Sequence, residues 1–163
     1  MAKNKEEKTN VMRVLEQKKI AYTAHTYPHE EGMAVDGVTV AKSMGFDPTI
    51  VFKTLVARGA SKQYYVFDVP VAENLDLKKA AKAVGEKSIE MLHQKELLPL
   101  TGYVHGGCSP VGMKKLFPTV FHETAENLET MIVSAGKIGY QVELAPHDLA
   151  ALVRAKFADI IVE

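Results

Sequence analysis

The sequence predicts an α+β fold: a single domain over residues 1–163, with a mixed, mostly antiparallel sheet and flanking helices. Three observations lead there. Helical and strand periodicities alternate irregularly, without the regular cadence of a doubly wound parallel fold. Two pairs of strand-like segments are joined across short glycine-containing turns, as hairpins are. No linker, internal repeat or low-complexity tract divides the chain, and 163 residues at 47% hydrophobic and 25% charged suit one globular core.

The elements follow in order. Residues 1–8 are rich in Lys and Glu and are expected to fray, and Val11, Met12, Val14 and Leu15 then give a short amphipathic helix to about Lys19. A strand over 20–27 stops at Pro28, and 29–37, with two glycines and no periodicity, reads as a loop long enough to lie across a site. Val38, Ala41 and Met44 repeat at helical spacing, and Gly45 stands where a helix ends in left-handed geometry. Pro48 is expected to open a strand that runs over 50–58 and turns through 59–63 into a second strand over 64–69. Asp76 caps a helix carrying Leu77, Ala80, Ala81 and Val84 and ended by Gly85, with Lys78, Lys79 and Lys82 outward. A short helix near 93–98 precedes the loop Gly106-Gly107-Cys108-Ser109-Pro110, and 119–121 reads as a strand. A second hairpin joins 131–134 to 140–144 across Gly136 and Gly139, a helix follows over about 146–155, and 160–162 is expected to close the sheet.

Composition excludes several function classes. Twenty Lys plus Arg balance twenty Asp plus Glu, so the chain lacks the positive field of a protein that grips long DNA, and any polyanion site must be a local patch. A single cysteine excludes internal disulfides and a Cys-rich zinc site. The first ten residues are charged and no run of about 18 apolar residues exists, so no membrane span and a cytoplasmic location are expected. No metal and no cofactor are expected either: His25 and His29 are four apart, but on a strand and across Pro28, which is not the helical geometry of a zinc pair.

Lys53 is the most informative position. In Ile50-Val51-Phe52-Lys53-Thr54-Leu55-Val56, alternation puts Lys53 on the side of Val51 and Leu55, with Phe52, Thr54 and Val56 on the other. A lysine thus sits on an apolar stripe. Read alone, it fits either a stem that packs while its ammonium reaches water, or a fixed cation at the floor of a cleft for a phosphate, a carboxylate or a developing ester oxyanion. The loop over 106–110 fits either a turn or a set of backbone N–H groups converging on an oxygen. Cys108 with His105 nearby suggests a thiol nucleophile, but no third residue orients the pair, and Ser109 lacks the glycine pattern of a nucleophile elbow. Lys78, Lys79, Lys82, Lys87, Lys114 and Lys115 make two basic clusters, either a solvated face or the patch that tRNA binding requires.

Four ordered blocks, 51–55, 75–83, 101–110 and 133–137, resemble the YbaK/EbsC family, and the similarity runs from about Thr9 to the C-terminus. The resemblance implies the family fold, a mixed and largely antiparallel sheet with flanking helices. It implies a free-standing trans-editing aminoacyl-tRNA deacylase, related to the insertion domain of prolyl-tRNA synthetase, that removes cysteine from mischarged Cys-tRNA(Pro). The implied partners are mischarged tRNA(Pro) and prolyl-tRNA synthetase. Carried over by position, the family's essential lysine falls on Lys53, with substrate contacts on Tyr27, Thr54, Gly106, Gly107 and Ser134, and the backbone N–H groups from Gly106 to Ser109 are expected to orient the terminal adenosine or the carbonyl. The implied mechanism uses the substrate's own thiol to attack its ester, which leaves the protein to supply position and charge. Ala135, Ile138, Gln141 and Asp36 depart from common family residues. The same fold with specificity for Ala-tRNA(Pro), and a noncatalytic aminoacyl- or nucleotide-binding module, are the competing readings.

Overall fold

The computed structural model describes residues 8–30 and 33–163. The fraying expected of the N-terminus therefore falls, Lys8 apart, outside the described residues. Helix α1, Asn10–Gln17, starts where the Thr9 hydroxyl accepts the Met12 N–H at 3.2 Å, and it buries Val11, Met12 and Leu15. Strand β1 is shorter than expected, Thr23–Thr26. Helix α2, Gly37–Ser43, is capped by Asp36, whose carboxylate accepts the Thr39 N–H at 3.1 Å, and Gly45 follows it at φ +76°.

Pro48 does not open a strand. Asp47 accepts the Thr49 N–H at 2.9 Å, and with Pro48 at the first position this closes a single 3-10 turn, Pro48–Ile50. The hairpin begins after it, as β2, Phe52–Gly59, and β3, Tyr64–Pro70. Helix α3, Leu77–Val84, has the expected Asp76 cap and a left-handed Gly85 at its end. Then come β4, Ile89–Met91, α4, Gln94–Thr101, and β5, Thr119–His122, followed by a 3-10 segment, Glu123–Asn127. The second hairpin is β6, Met131–Ser134, and β7, Tyr140–Leu144.

The C-terminus departs from expectation. Helix α5, Pro146–Val153, stops before residue 155 because Arg154 takes a left-handed φ of +58°, and the next residues form β8, Ala155–Ala158. The sheet is closed by β8, while Ile161 makes only an isolated bridge to Leu75.

The α+β class holds, with the strands divided between two sheets. β1, β7 and β6 form an antiparallel three-stranded sheet; β4, β2, β3, β5 and β8 form a five-stranded one in which β3–β5 and β5–β8 run parallel. The main core lies between elements of both sheets and α1 and α5, and includes Leu15, Phe52, Val56, Phe121, Met131 and Leu149. A second cluster, with Phe67, Val69, Ala80 and Ala81, packs α3 on the opposite face of the hairpin. Burying a side chain such as Phe67 or Phe121, both without exposed surface, is worth about 1.5–3 kcal/mol.

One pairing gap positions the site. β4 pairs with Ala57, Arg58 and Gly59 of β2, so among the described residues the first half of β2 has no strand beside it on that edge, and only a parallel bridge from Val51, just before β2, to Ile132 of β6 lies there. The two sheets meet across this gap.

Candidate active site

A cavity of about 550 Å³ fills the gap. Val51 and residues 52–55 of β2 form one wall, Ser134, Tyr140 and Gln141 of the β6–β7 hairpin another, and His105, Gly106 and Cys108 from the loop after α4 a third. Asp36 and Gly37, at the start of α2, stand at the α2 side. Because the edge of β2 is open here, residues of both its faces reach the same space.

Lys53 lines this cavity with Val69 opposite it on β3. Its ammonium is half-buried, and burial holds it below the usual amine range, partly opposed by the negative charges of Asp36 and Glu73. Among the described residues no carboxylate lies within ion-pair distance of it. The cavity therefore offers a cation that the protein does not neutralise by contact, in a setting where water screens it poorly.

Thr54 points to the other face of β2, where Asp68 is its cross-strand partner. Its hydroxyl donates to Asp68 Oδ1 at 2.5 Å. Asp68 has no exposed surface, and among the described residues its Oδ2 has no hydrogen-bond partner. Burial pushes the carboxyl up to about 7 against the lowering effect of the Thr54 bond. Cys108 comes close enough to feel Asp68; burial, then that charge, push its thiol up to about 12, which makes it a neutral thiol at physiological pH.

Tyr27, Gly106 and Ser134 also reach the cavity. Tyr27 is anchored by its N–H to Gly139 O at 2.9 Å. Gly106 has φ +89°, and a side-chain carbon there would meet Ala34 Cβ at 2.6 Å, so the loop can pass close to the 33–36 segment only as glycine. Ser134 Oγ accepts the Gly136 N–H at 3.1 Å, holding the hairpin turn.

Gly107 and Ser109 are not brought to the cavity wall. A side-chain carbon on Gly107 would meet Ile138 N at 3.1 Å, because this glycine packs against the β6–β7 turn. Ser109 is fully buried and its Oγ accepts the Val111 N–H at 3.2 Å, a bond that shapes the loop. Of the residues picked from sequence, Lys53, Tyr27, Thr54, Gly106 and Ser134 share one space.

Sequence reasoning passed over Asp68 and gave Gln141 only as a departure. Gln141 lines the cavity with a buried Oε1 that lacks a partner. Asp68 carried the same signal as Lys53, a lone charge inside an apolar strand, Tyr64-Tyr65-Val66-Phe67-Asp68-Val69. The basic clusters are partly committed: Lys79 Nζ bonds Asp159 at 3.0 Å and Ile161 O at 2.9 Å, and Lys114 Nζ bonds Pro99 O at 3.2 Å. Among the described residues no group of three potential metal ligands occurs, and no helix is long and apolar enough to cross a membrane. His25 instead pairs with Glu143 at 2.8 Å.

Comparison with known proteins agrees with this architecture. A candidate Cys-tRNA(Pro)/Cys-tRNA(Cys) deacylase, EbsC, from Enterococcus faecalis is 47% identical over 161 residues, covering 98% of each chain. The crystal structure of a candidate trans-editing enzyme for prolyl tRNA synthetase superposes with a TM-score of 0.79 at 25% identity, covering 94% of this chain and 95% of that one. The profile of the aminoacyl-tRNA editing domain matches residues 29–152, and with a relative this similar over nearly its whole length the chain belongs to the aminoacyl-tRNA editing domain family.

Proposed function

We propose that this protein is a trans-editing aminoacyl-tRNA deacylase that removes cysteine from mischarged Cys-tRNA(Pro), acting on the acceptor end of the tRNA in the cavity beside Lys53. The observation that carries the reading is Lys53 itself: a half-buried ammonium on a cavity of about 550 Å³, with no carboxylate in contact among the described residues, in a chain of this family. Such a charge is suited to hold a phosphate or to stabilise the oxyanion that develops on an ester.

Among the described residues the cavity supplies no activated nucleophile of its own. Cys108 is a neutral, buried thiol, Ser109 is turned into the loop, and the Ser134 hydroxyl is engaged with its own turn. A substrate that brings a nucleophile resolves this. The cysteinyl sulfur attacks its own ester carbonyl, an S–C bond forms and the C–O bond to the ribose breaks. The ribose oxygen takes up the proton that the sulfur lost, leaving a free tRNA 3′-end and a cyclic thioester of cysteine. The task of Lys53, Thr54 and Tyr27 is then to hold the ester and the sulfur in reach, where proximity does most of the work. A pocket separates proline from cysteine poorly, since a methylene-scale difference is worth about 1–3 kcal/mol, which gives such an activity its purpose.

The test is deacylation of Cys-tRNA(Pro) by the wild type and by Lys53→Ala. A loss on the order of 10²- to 10³-fold is expected for removal of one electrostatic stabiliser. Unchanged turnover would end the proposal. Running Cys-, Ala- and Ser-charged tRNA(Pro) alongside Cys-tRNA(Cys), with and without prolyl-tRNA synthetase, measures sulfur dependence and whether the synthetase is a partner. Ala-tRNA(Pro), which has no thiol, is expected to be nearly inert.

A further inference from the structure

Asp68 is left without a task by the chemistry above. It lies within β3 with no exposed surface, and the groups facing it are few. Thr54 Oγ1 reaches it from β2, Cys108 faces it from the loop after α4, and Phe121 is its cross-strand partner on β5. Among the described residues no cation neutralises it, and Oδ2 is unpartnered. A buried carboxyl kept in this way lowers stability. Its one hydrogen bond leads to a residue that lines the cavity.

A threonine hydroxyl has a single proton to donate. While the Asp68 carboxylate holds that proton, Thr54 Oγ1 can offer a molecule in the cavity only lone pairs. Such an oxygen receives a proton from a donor, and it repels an ester or phosphate oxygen. The substrate's S–H is a donor.

Resting on the deacylase reading, we infer that Asp68 is a positioning residue for the reaction, aiming Thr54 as an acceptor so that the pair withdraws the proton from the substrate's own thiol. The proton on sulfur passes to Thr54 Oγ1 as the Thr54 proton passes to Asp68 Oδ1. The thiolate attacks the carbonyl carbon and the C–O bond to the ribose breaks. The same path returns one proton to the departing ribose oxygen, so the protein ends as it began and no further reactant is needed. Burial supports this use: a carboxyl raised to about 7 is far closer to a cysteine thiol, at about 8.5, than an ordinary aspartate is, so the proton can move both ways near neutral pH.

The experiment is steady-state deacylation of Cys-tRNA(Pro) across about pH 5.5 to 8.5 by the wild type, Asp68→Asn, Thr54→Val and Thr54→Ser. The wild-type kcat should rise with an inflection near neutrality. Asp68→Asn and Thr54→Val should each lower kcat on the order of 10²-fold with KM little changed, and Asp68→Asn should lose the inflection. Thr54→Ser, which keeps the hydroxyl, should retain most of the rate. The double variant Asp68→Asn/Thr54→Val should be no slower than either single, since both cut one path. Wild-type rate and pH profile in Asp68→Asn overturn the inference, as does an additive loss in the double variant. If Asp68→Asn does not fold, the Thr54→Val and Thr54→Ser pair decides it: equal rates in both overturn it. An intact Asp68→Asn beside a dead Lys53→Ala removes the relay alone, whereas a wild type inert on Cys-tRNA(Pro) removes the deacylase reading and the relay together.

Discussion

Two aspartates on the five-stranded sheet and its margin meet opposite fates. Asp159, just past β8, is joined by Lys79 Nζ at 3.0 Å and lies 3.9 Å from His122 Nδ1, and these partners, the Lys79 hydrogen bond foremost, hold its carboxyl below the usual range. Asp68, two strands away, has one neutral partner, and burial holds its carboxyl far above that range. The seam that closes the chain satisfies its charges; β3, behind the Thr54 of the cavity wall, leaves one unsatisfied. Lys53, on the cavity wall itself, has no carboxylate within ion-pair distance among the described residues either. Isolated charge of both signs, concentrated around one cavity in an otherwise charge-balanced chain, is the physical mark that separates the candidate site from the framework.

The strongest way to break this comparison, after the activity tests on Lys53 and Asp68, is to ask what Asp68 costs. Its folded-state pKa of about 7 lies above that of an unfolded aspartate, so between those values the folded state binds the extra proton. Stability from this group is present below the unfolded value and is lost as pH rises toward about 7. Asp68→Asn should therefore unfold at higher temperature than the wild type at pH 8, by on the order of 1–2 kcal/mol or roughly 3–6 °C, with a smaller gap at pH 5. Thermal unfolding at the two pH values measures it. A variant less stable than the wild type at pH 8 would show that the carboxylate belongs to the framework after all.

A smaller effect of opposite sign is expected at the seam. His122 is buried and its Nδ1 accepts the Ile160 N–H at 3.3 Å, a role open only to the unprotonated nitrogen. Burial lowers its pKa, opposed by Asp159, so the unfolded chain protonates first as pH falls below the ordinary imidazole value of about 6.5. The contribution of His122 is complete above that value and declines below it. Urea unfolding of Asp68→Asn, in which the rising acid-side term of Asp68 is gone, should show stability falling from pH 7.5 to 5.5. In His122→Gln, with Asp68 intact, stability should instead rise over the same interval. Parallel pH slopes in the two variants would dissolve the distinction between seam and wall.

What the sequence discloses divides along the same line between local and nonlocal. The β2–β3 hairpin, α3 between Asp76 and Gly85, and the β6–β7 hairpin are readable because caps, turns and alternation lie within each segment. β8 is not, because its partner β5 is more than thirty residues away and the turn into it uses Arg154 in place of a glycine. The same limit governs the site. Lys53 announces itself as a charge in an apolar run and was further marked by family resemblance. Asp68 has the local signal alone, and only the register that sets it opposite Thr54 gives it meaning. Gly107 and Ser109 sit in a motif beside true cavity residues, but which side of that loop faces the ligand is decided by packing against the Ile138 turn, which no local pattern encodes.

Cys108 gives the finest discrimination, since it touches both the wall and the core. Its side chain is 7% exposed, lines the cavity and belongs to the main apolar cluster, next to the charge of Asp68. A thiol pushed up to about 12 is almost wholly protonated at neutral pH, and a protonated thiol is a poor nucleophile. Cysteine in such a place acts as a small apolar side chain. Cys108→Ala should accordingly retain deacylation within about threefold and lose about 1 kcal/mol of stability for the small void it leaves, read from parallel activity and urea-unfolding measurements. A variant that folds and is inactive would transfer the nucleophile from the substrate to the protein. In that event the proton path through Thr54 and Asp68 would have to serve Cys108 instead, and the thiol-free Ala-tRNA(Pro) would no longer be expected to be inert.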